Sequence, residues 1–171
     1  MPIKNSACRR DEENLDHSLA ITRPEGLTLR DAAVCFYGQK AANFYAVHKN
    51  APLLTWLRDN RAKKINGQAP RFRIYNLAGN PMMVRMTEST GTPPAIDAVF
   101  ELKGQKVYDV IPGAFIAKRV GATFVDLANR PIDLDRALRE RKVLKYVLAA
   151  TPGLARELVL ALNYPPKGEP K

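Results

Sequence analysis

The stretch from Ile96 to Leu127 limits what this chain can fold into more than any other. Ile96, Ala98, Phe100 and Leu102 alternate with Asp97, Val99 and Glu101, the period of a strand with one apolar face. Val110, Ala114, Ala117 and Val120 then recur at helical spacing. Asp109 is placed to cap that helix, since a carboxylate can accept the free amide hydrogens of a first turn. Pro112 falls in the expected first turn, and Gly121 stands where a left-handed helix end is wanted. Ala122–Leu127 reads as a second strand, and Asn129-Arg130-Pro131 as a turn. A strand, helix and strand in succession imply an α/β layer.

The flanks extend that layer. Upstream, Ala32–Gly38 and Asn43–Val47 read as a hairpin turning at Gln39-Lys40. Asn50–Pro70 mixes a short apolar piece, Leu53, Leu54, Trp56 and Leu57, with basic residues and an Asn66-Gly67 turn. Phe72–Tyr75 reads as a short strand, and Gly79–Met86 as a helix whose Met82, Met83 and Met86 face inward as core. Thr87–Pro94 is a loop. Downstream, Ile132–Arg141 has helical composition but is open to an extended reading. Val143–Ala149 reads as a strand. Thr151 caps a last helix with Pro152 at its first position and a buried stripe of Leu154, Leu158, Ala161 and Leu162. The expected fold class is therefore α/β (mixed α+β): a mixed sheet with helices packed on it. One domain spans 27–163, between a polar arm, 1–26, and a frayed tail, 164–171.

With 171 residues and 46% apolar content, the chain can bury an ordinary core. It has no apolar run of the length a membrane span needs, and its amino terminus lacks the apolar centre of a secretion signal. Cys8 and Cys35 make no disulfide framework, and Cys35, in an apolar strand, reads as a buried thiol; a cytoplasmic location is expected. The net charge is +10, which favours anionic ligands. Much of the excess is Arg58, Arg61, Lys63, Lys64, Arg71 and Arg73, opposed locally only by Asp59. That run reads first as a solvated basic surface. No nucleic-acid signature accompanies it, so a nucleic-acid partner is not expected. His17 and His48 adjoin no carboxylate pattern and read as structural or exposed.

Five pieces in order resemble the carboxy-terminal half of the inositol monophosphatase family of Mg²⁺-dependent phosphatases. They are Asn76-Leu77-Ala78-Gly79-Asn80; Ile96–Glu101; Tyr108-Asp109-Val110-Ile111-Pro112-Gly113; Gly121–Leu127 with Arg130-Pro131-Ile132-Asp133; and Ala149–Leu154. By that resemblance Asp109 is the catalytic residue, a metal ligand that helps to hold the attacking water. Glu101 would bind a substrate hydroxyl, and the backbone at Gly79 and Asn80 would lie beside substrate. The implied cofactor is Mg²⁺ and the implied partner a small phosphorylated metabolite, such as an inositol phosphate. Tyr108 stands where the family has tryptophan, and one extra residue separates Glu101 from Asp109. The family's upstream acidic pair and its Asp-Pro-x-Asp-Gly-Thr loop have no clear counterpart. Arg23-Pro24-Glu25-Gly26-Leu27-Thr28 is a worn echo of the loop, and Glu12-Glu13 of the pair. Phosphate ester hydrolysis disperses negative charge that several cation-held carboxylates normally manage. The expectation is therefore a truncated member, inactive alone, that acts with a complementing polypeptide or as a homodimer. The alternatives are a non-catalytic half-domain and an unrelated basic anion-binding module.

Overall fold

The structure, a computed structural model, describes residues 26–36, 51–65, 68–76 and 96–165. In chain order the elements are β1 (Ala33–Phe36), α1 (Ala51–Arg61), β2 (Arg73–Asn76), β3 (Ala98–Lys106), α2 (Val107–Arg119), β4 (Thr123–Val125), α3 (Leu134–Arg139), β5 (Val143–Ala149) and α4 (Pro152–Leu162). The second strand of the expected hairpin, the expected Gly79–Met86 helix and the Thr87–Pro94 loop lie outside the described residues. So do the arm up to Glu25 and the tail from Pro166.

The five strands form one sheet in the order β2-β1-β3-β5-β4. β1 runs parallel to both β2 and β3, while β5 runs antiparallel to β3 and β4. This is the mixed sheet that the alternating pattern predicts. Helices cover both faces. On one, Val107, Val110, Ala114 and Ala117 of α2 and Ala137 of α3 pack on Cys35, Val99, Phe124, Tyr146 and Leu148. On the other, Leu53 of α1 and Leu154, Ala155, Leu158 and Leu162 of α4 pack on Val34, Ala98, Phe100, Val147 and Ala149. Alternate residues of Ala98–Glu101 and Tyr146–Ala149 feed the two cores, so both faces of this part of the central strands are buried, while the other end of the β3–β5 pair is exposed at Lys103, Lys106, Val143 and Lys145.

Local chemistry explains the boundaries. Thr151 accepts the Leu154 amide hydrogen at 3.1 Å and Pro152 opens α4, as the sequence predicts. Asp133 accepts the Arg136 amide at 3.0 Å and starts α3, which settles the ambiguous segment as a helix. α2 ends as expected: Gly121 has φ +95°, its amide bonds the Lys118 carbonyl, and Ala122 reaches back to Ala117.

The start of α2 differs from expectation. The helix begins at Val107 directly from β3, and Lys106, the residue at its cap position, makes no side-chain cap. Asp109 is the third residue of the helix rather than its cap. Pro112 is consequently past the first turn, where it deprives the exposed Tyr108 carbonyl of its helical donor. α1 is a further departure, an 11-residue helix with a single fully buried contact, Leu53.

Candidate functional site

Asp109 and Glu101 are separated by the turnless junction of β3 and α2, and the structure gives them opposite environments. Asp109 lies in the exposed part of the first turn of α2, where a negative charge suits the positive end of the helix dipole. The ammonium of Lys106, just before the helix, sits 5.6 Å from the Tyr108 ring centroid. Contact with Tyr108, and more weakly with Asp109, holds the Lys106 pKa above its ordinary value.

Glu101 is 3% exposed. The pairing of β3 with β5 shifts register between Glu101 and Gln105, and the glutamate fills that irregularity. Its Oε1 accepts the backbone amides of Lys103 at 2.6 Å and Gly104 at 3.0 Å. Gly104 turns the chain there with φ +110°, and a Cβ on it would come within 2.5 Å of Val143 Cγ1. Glu101 lies on the face of the sheet that α2 covers, with Val99 on its own strand and Tyr146 opposite.

Behind Glu101 sits a small polar island in the core. Tyr146, its cross-strand partner, donates from its hydroxyl to Gln105 Oε1 at 3.0 Å. Burial raises the Tyr146 pKa well above the usual phenol range, with the neighbouring Glu101 charge and then Cys35 adding to it. Cys35 itself is fully buried, as the apolar strand predicts. Asp97, on the same strand face as Glu101, is 8% exposed. Its Oδ2 accepts the Ala33 amide at 2.8 Å and ties the start of β3 to β1.

Asp126 is a further carboxylate that the sequence reading did not single out. Burial disfavours its charged form. Hydrogen bonds from the Arg130 backbone and side chain and from the Ala128 backbone outweigh that, and they hold its pKa below the ordinary carboxylate value. It organises the turn that leaves β4 towards α3. The Asp-x-x-x-Arg spacing ahead of Pro131 was the signal available for that role.

The fit to a divalent cation follows from these positions. Mg²⁺ asks for near-octahedral oxygen coordination and keeps water unless several carboxylates converge. Among the described residues, no group of three or more His, Cys, Asp or Glu side chains could hold a metal ion. Asp109 is exposed but, among the described residues, belongs to no such group, and Glu101 has turned Oε1 to backbone amides. These residues do not make a Mg²⁺ site by themselves. Gly79 and Asn80 lie outside the described residues.

The basic run divides in two. Arg58 pairs with Asp59, and Arg61 donates to Glu157 from its Nε at 2.8 Å while lying 5.4 Å from the Trp56 ring centroid. Glu157 also accepts the Leu29 amide at 2.9 Å, so Arg61 belongs to the α1–α4 contact. Lys63, Lys64, Arg71 and Arg73 are exposed. No helix among the described residues is long and apolar enough to cross a membrane.

No protein-family pattern and no curated protein sequence matches the chain. Solved structures do match its fold. An inositol monophosphatase/NADP phosphatase complexed with Mg²⁺ and phosphate superposes with a TM-score of 0.55 at 15% identity, covering 85% of this chain and 44% of that one. An inositol monophosphatase from Zymomonas mobilis gives 0.52 at 17% identity, over 84% of this chain and 46% of the other. A structure described as 2′AMP-bound SaIMPase-II gives 0.51 at 12%, over 85% and 45%. The chain thus spans less than half the length of the structures it matches. Its mixed sheet, clothed by helices on both faces, resembles in fold a part, less than half, of inositol monophosphatase-type phosphatases.

Proposed function

We propose that this chain is one half of a Mg²⁺-dependent phosphatase acting on a small phosphate monoester, an inositol phosphate or a related metabolite. In this reading Asp109 is a metal ligand, Glu101 shapes the adjoining wall, and the remaining carboxylates come from a complementing polypeptide. The observation that carries it is the match of fold to phosphatases nearly twice as long, with Asp109 open at the first turn of the helix that follows β3. The chain's own residues have two roles. Asp109 presents an unencumbered carboxylate, and Glu101 fixes the β3 irregularity from which α2 springs. Mg²⁺, once held by the full set, would neutralise charge on the phosphoryl oxygens.

A second reading, a half-domain that turns nothing over, is favoured by the lack of a three-carboxylate group among the described residues. Melting temperature separates the two. Binding that favours the folded state raises stability in proportion to the logarithm of ligand over Kd. With the complementing polypeptide present, the phosphatase reading predicts a rise in Tm with millimolar Mg²⁺ plus inositol phosphate, lost in Asp109→Asn. No rise in the wild type, or an equal rise in the variant, supports the non-catalytic reading.

A further inference from the structure

The fold sorts the basic residues between α1 and β2 into two sets. Arg58 and Arg61 are neutralised by Asp59 and Glu157. Lys63, Lys64, Arg71 and Arg73 are exposed and have no ion-pair partner among the described residues. The chain that carries them doubles back on itself. The Ile65 amide donates to the Gln68 carbonyl at 3.2 Å, and the Gln68 amide to the Ile65 carbonyl at 2.9 Å. Lys63 and Lys64 thus stand on one arm of a hairpin and Arg71 on the other, which runs on into β2 with Arg73.

The hairpin is fastened to the sheet. The Arg71 and Arg73 amides donate to the Arg30 and Ala32 carbonyls, each at 3.0 Å, so both residues sit in the same phase of one extended segment. Their side chains leave one face about 6.5 Å apart. Arg30 ties the arm down: Nη2 donates to the Gln68 carbonyl, and Nη1 to the two oxygens of Asp31 at 2.9 and 3.1 Å. Arg30 is 9% exposed, and its Nε has no hydrogen-bond partner. A buried guanidinium with an idle donor is costly. Among the described residues, Asp31 is the one carboxylate bonded to these five bases or their backbone. Positive charge is left over, and an anion laid across the hairpin would offset it.

The layout indicates which anion. A small ester is held in a concave site by convergent donors, whereas these side chains stand in the open on two arms and along a strand. A folded protein partner needs an apolar centre within a polar rim. The exposed large apolar residues of this segment are two isoleucines, Ile65 and Ile74, outnumbered by the charges. A row of unpaired Lys and Arg suits a polymer of regularly repeated charge, and duplex nucleic acid carries one phosphate charge per ~1.7 Å of axis.

We propose that Lys63, Lys64, Arg71 and Arg73 form a surface that binds the phosphate backbone of nucleic acid without regard to base sequence. The sequence reading did not expect that partner, because neither the hairpin nor the unpaired state of these four residues is visible along the chain. β1 and β2 run parallel to β3, and the surface lies at their starting end, whereas Asp109 follows the finishing end of β3. It is therefore independent of the metal reading.

Fluorescence anisotropy of a labelled duplex of about 20 base pairs and random sequence, titrated with the full chain, tests this. The expected result is a micromolar Kd at 50 mM salt that weakens on the order of 100-fold by 200 mM, since four phosphate contacts give a log–log slope of about −3.6. Arg71→Gln with Arg73→Gln, and separately Lys63→Gln with Lys64→Gln, should each make that slope shallower by about 1.8. Circular dichroism checks that each pair folds, and either pair suffices alone. Lys118→Gln with Arg119→Gln, which removes equal charge from α2, should leave the slope unchanged. Polyglutamate has wider charge spacing and should displace the duplex about tenfold less well, or worse, at equal charge. No binding at 50 mM salt overturns the proposal. So does a slope changed as much by the α2 variant as by the hairpin variants. Displacement by polyglutamate as effective as by unlabelled duplex also overturns it, and would mark a docking face for an acidic protein.

Discussion

Glu101 shows how far a residue's local duty can differ from the one its sequence position suggests. Placed after an alternating strand, it reads as an acid at the mouth of a site. In the fold it is buried, and its Oε1 accepts two backbone amides where β3 slips against β5. A buried donor that loses its acceptor costs about 1–3 kcal/mol. Glu101→Ala should therefore lower stability by that amount in urea unfolding, whereas Glu101→Gln, which keeps an oxygen acceptor, should cost less. Equal losses would mean that the charge, not the acceptor, matters here. Sequence alone could not have made this assignment, because the register slip depends on the pairing of β3 with β5, some forty residues apart. Cys35 was the easier case: a short apolar run with a valine and an aromatic, closed by a glycine, reads as a strand, and a thiol within it is buried.

At the scale of elements, those with local punctuation were legible and those without were not. Thr151-Pro152 and Gly121 carry the chemistry of their helix ends, and both ends fall where that chemistry puts them. α2 began earlier than expected because β3 runs into it with no loop, and Lys106 offers no capping oxygen to mark the junction. Asp109 was the nearest good cap former, and a negative residue in a first turn looks the same in sequence whether it caps the helix or sits two places inside. α1 was hidden because its polar residues, Arg58, Asp59, Asn60 and Arg61, break the apolar period, and the helix is held by Leu53 and by the Arg61–Glu157 pair.

α3 also yields a pH prediction. The Arg136 side chain, then Lys142, hold the Glu140 carboxylate down from 4.5 to about 2. A lowered folded-state value means that this contribution is complete above pH 4.5 and is lost as pH falls towards about 2. The pair is fully exposed, so the effect is small and weakens with salt. Glu140→Gln should flatten this part of the acid limb of a Tm-against-pH curve, and an unchanged limb would show that the pairing adds nothing in solution.

For the whole molecule, the two-faced sheet and its phosphatase-type fold were within reach of the sequence because five short pieces keep their order from Asn76 to Leu154. The site was less so. Metal sites are assembled from side chains distant in sequence, and no pattern along the chain says which carboxylates converge. The account rests on Asp109 being a cation ligand that waits for others. The most direct test is Mn²⁺ titration followed by amide NMR, since the paramagnetic ion broadens only signals near where it dwells. The account predicts that the amides of residues 107–111 broaden first, and that Asp109→Asn abolishes this while leaving the spectrum folded. Broadening spread evenly over the acidic surface, or unchanged by that substitution, would contradict it.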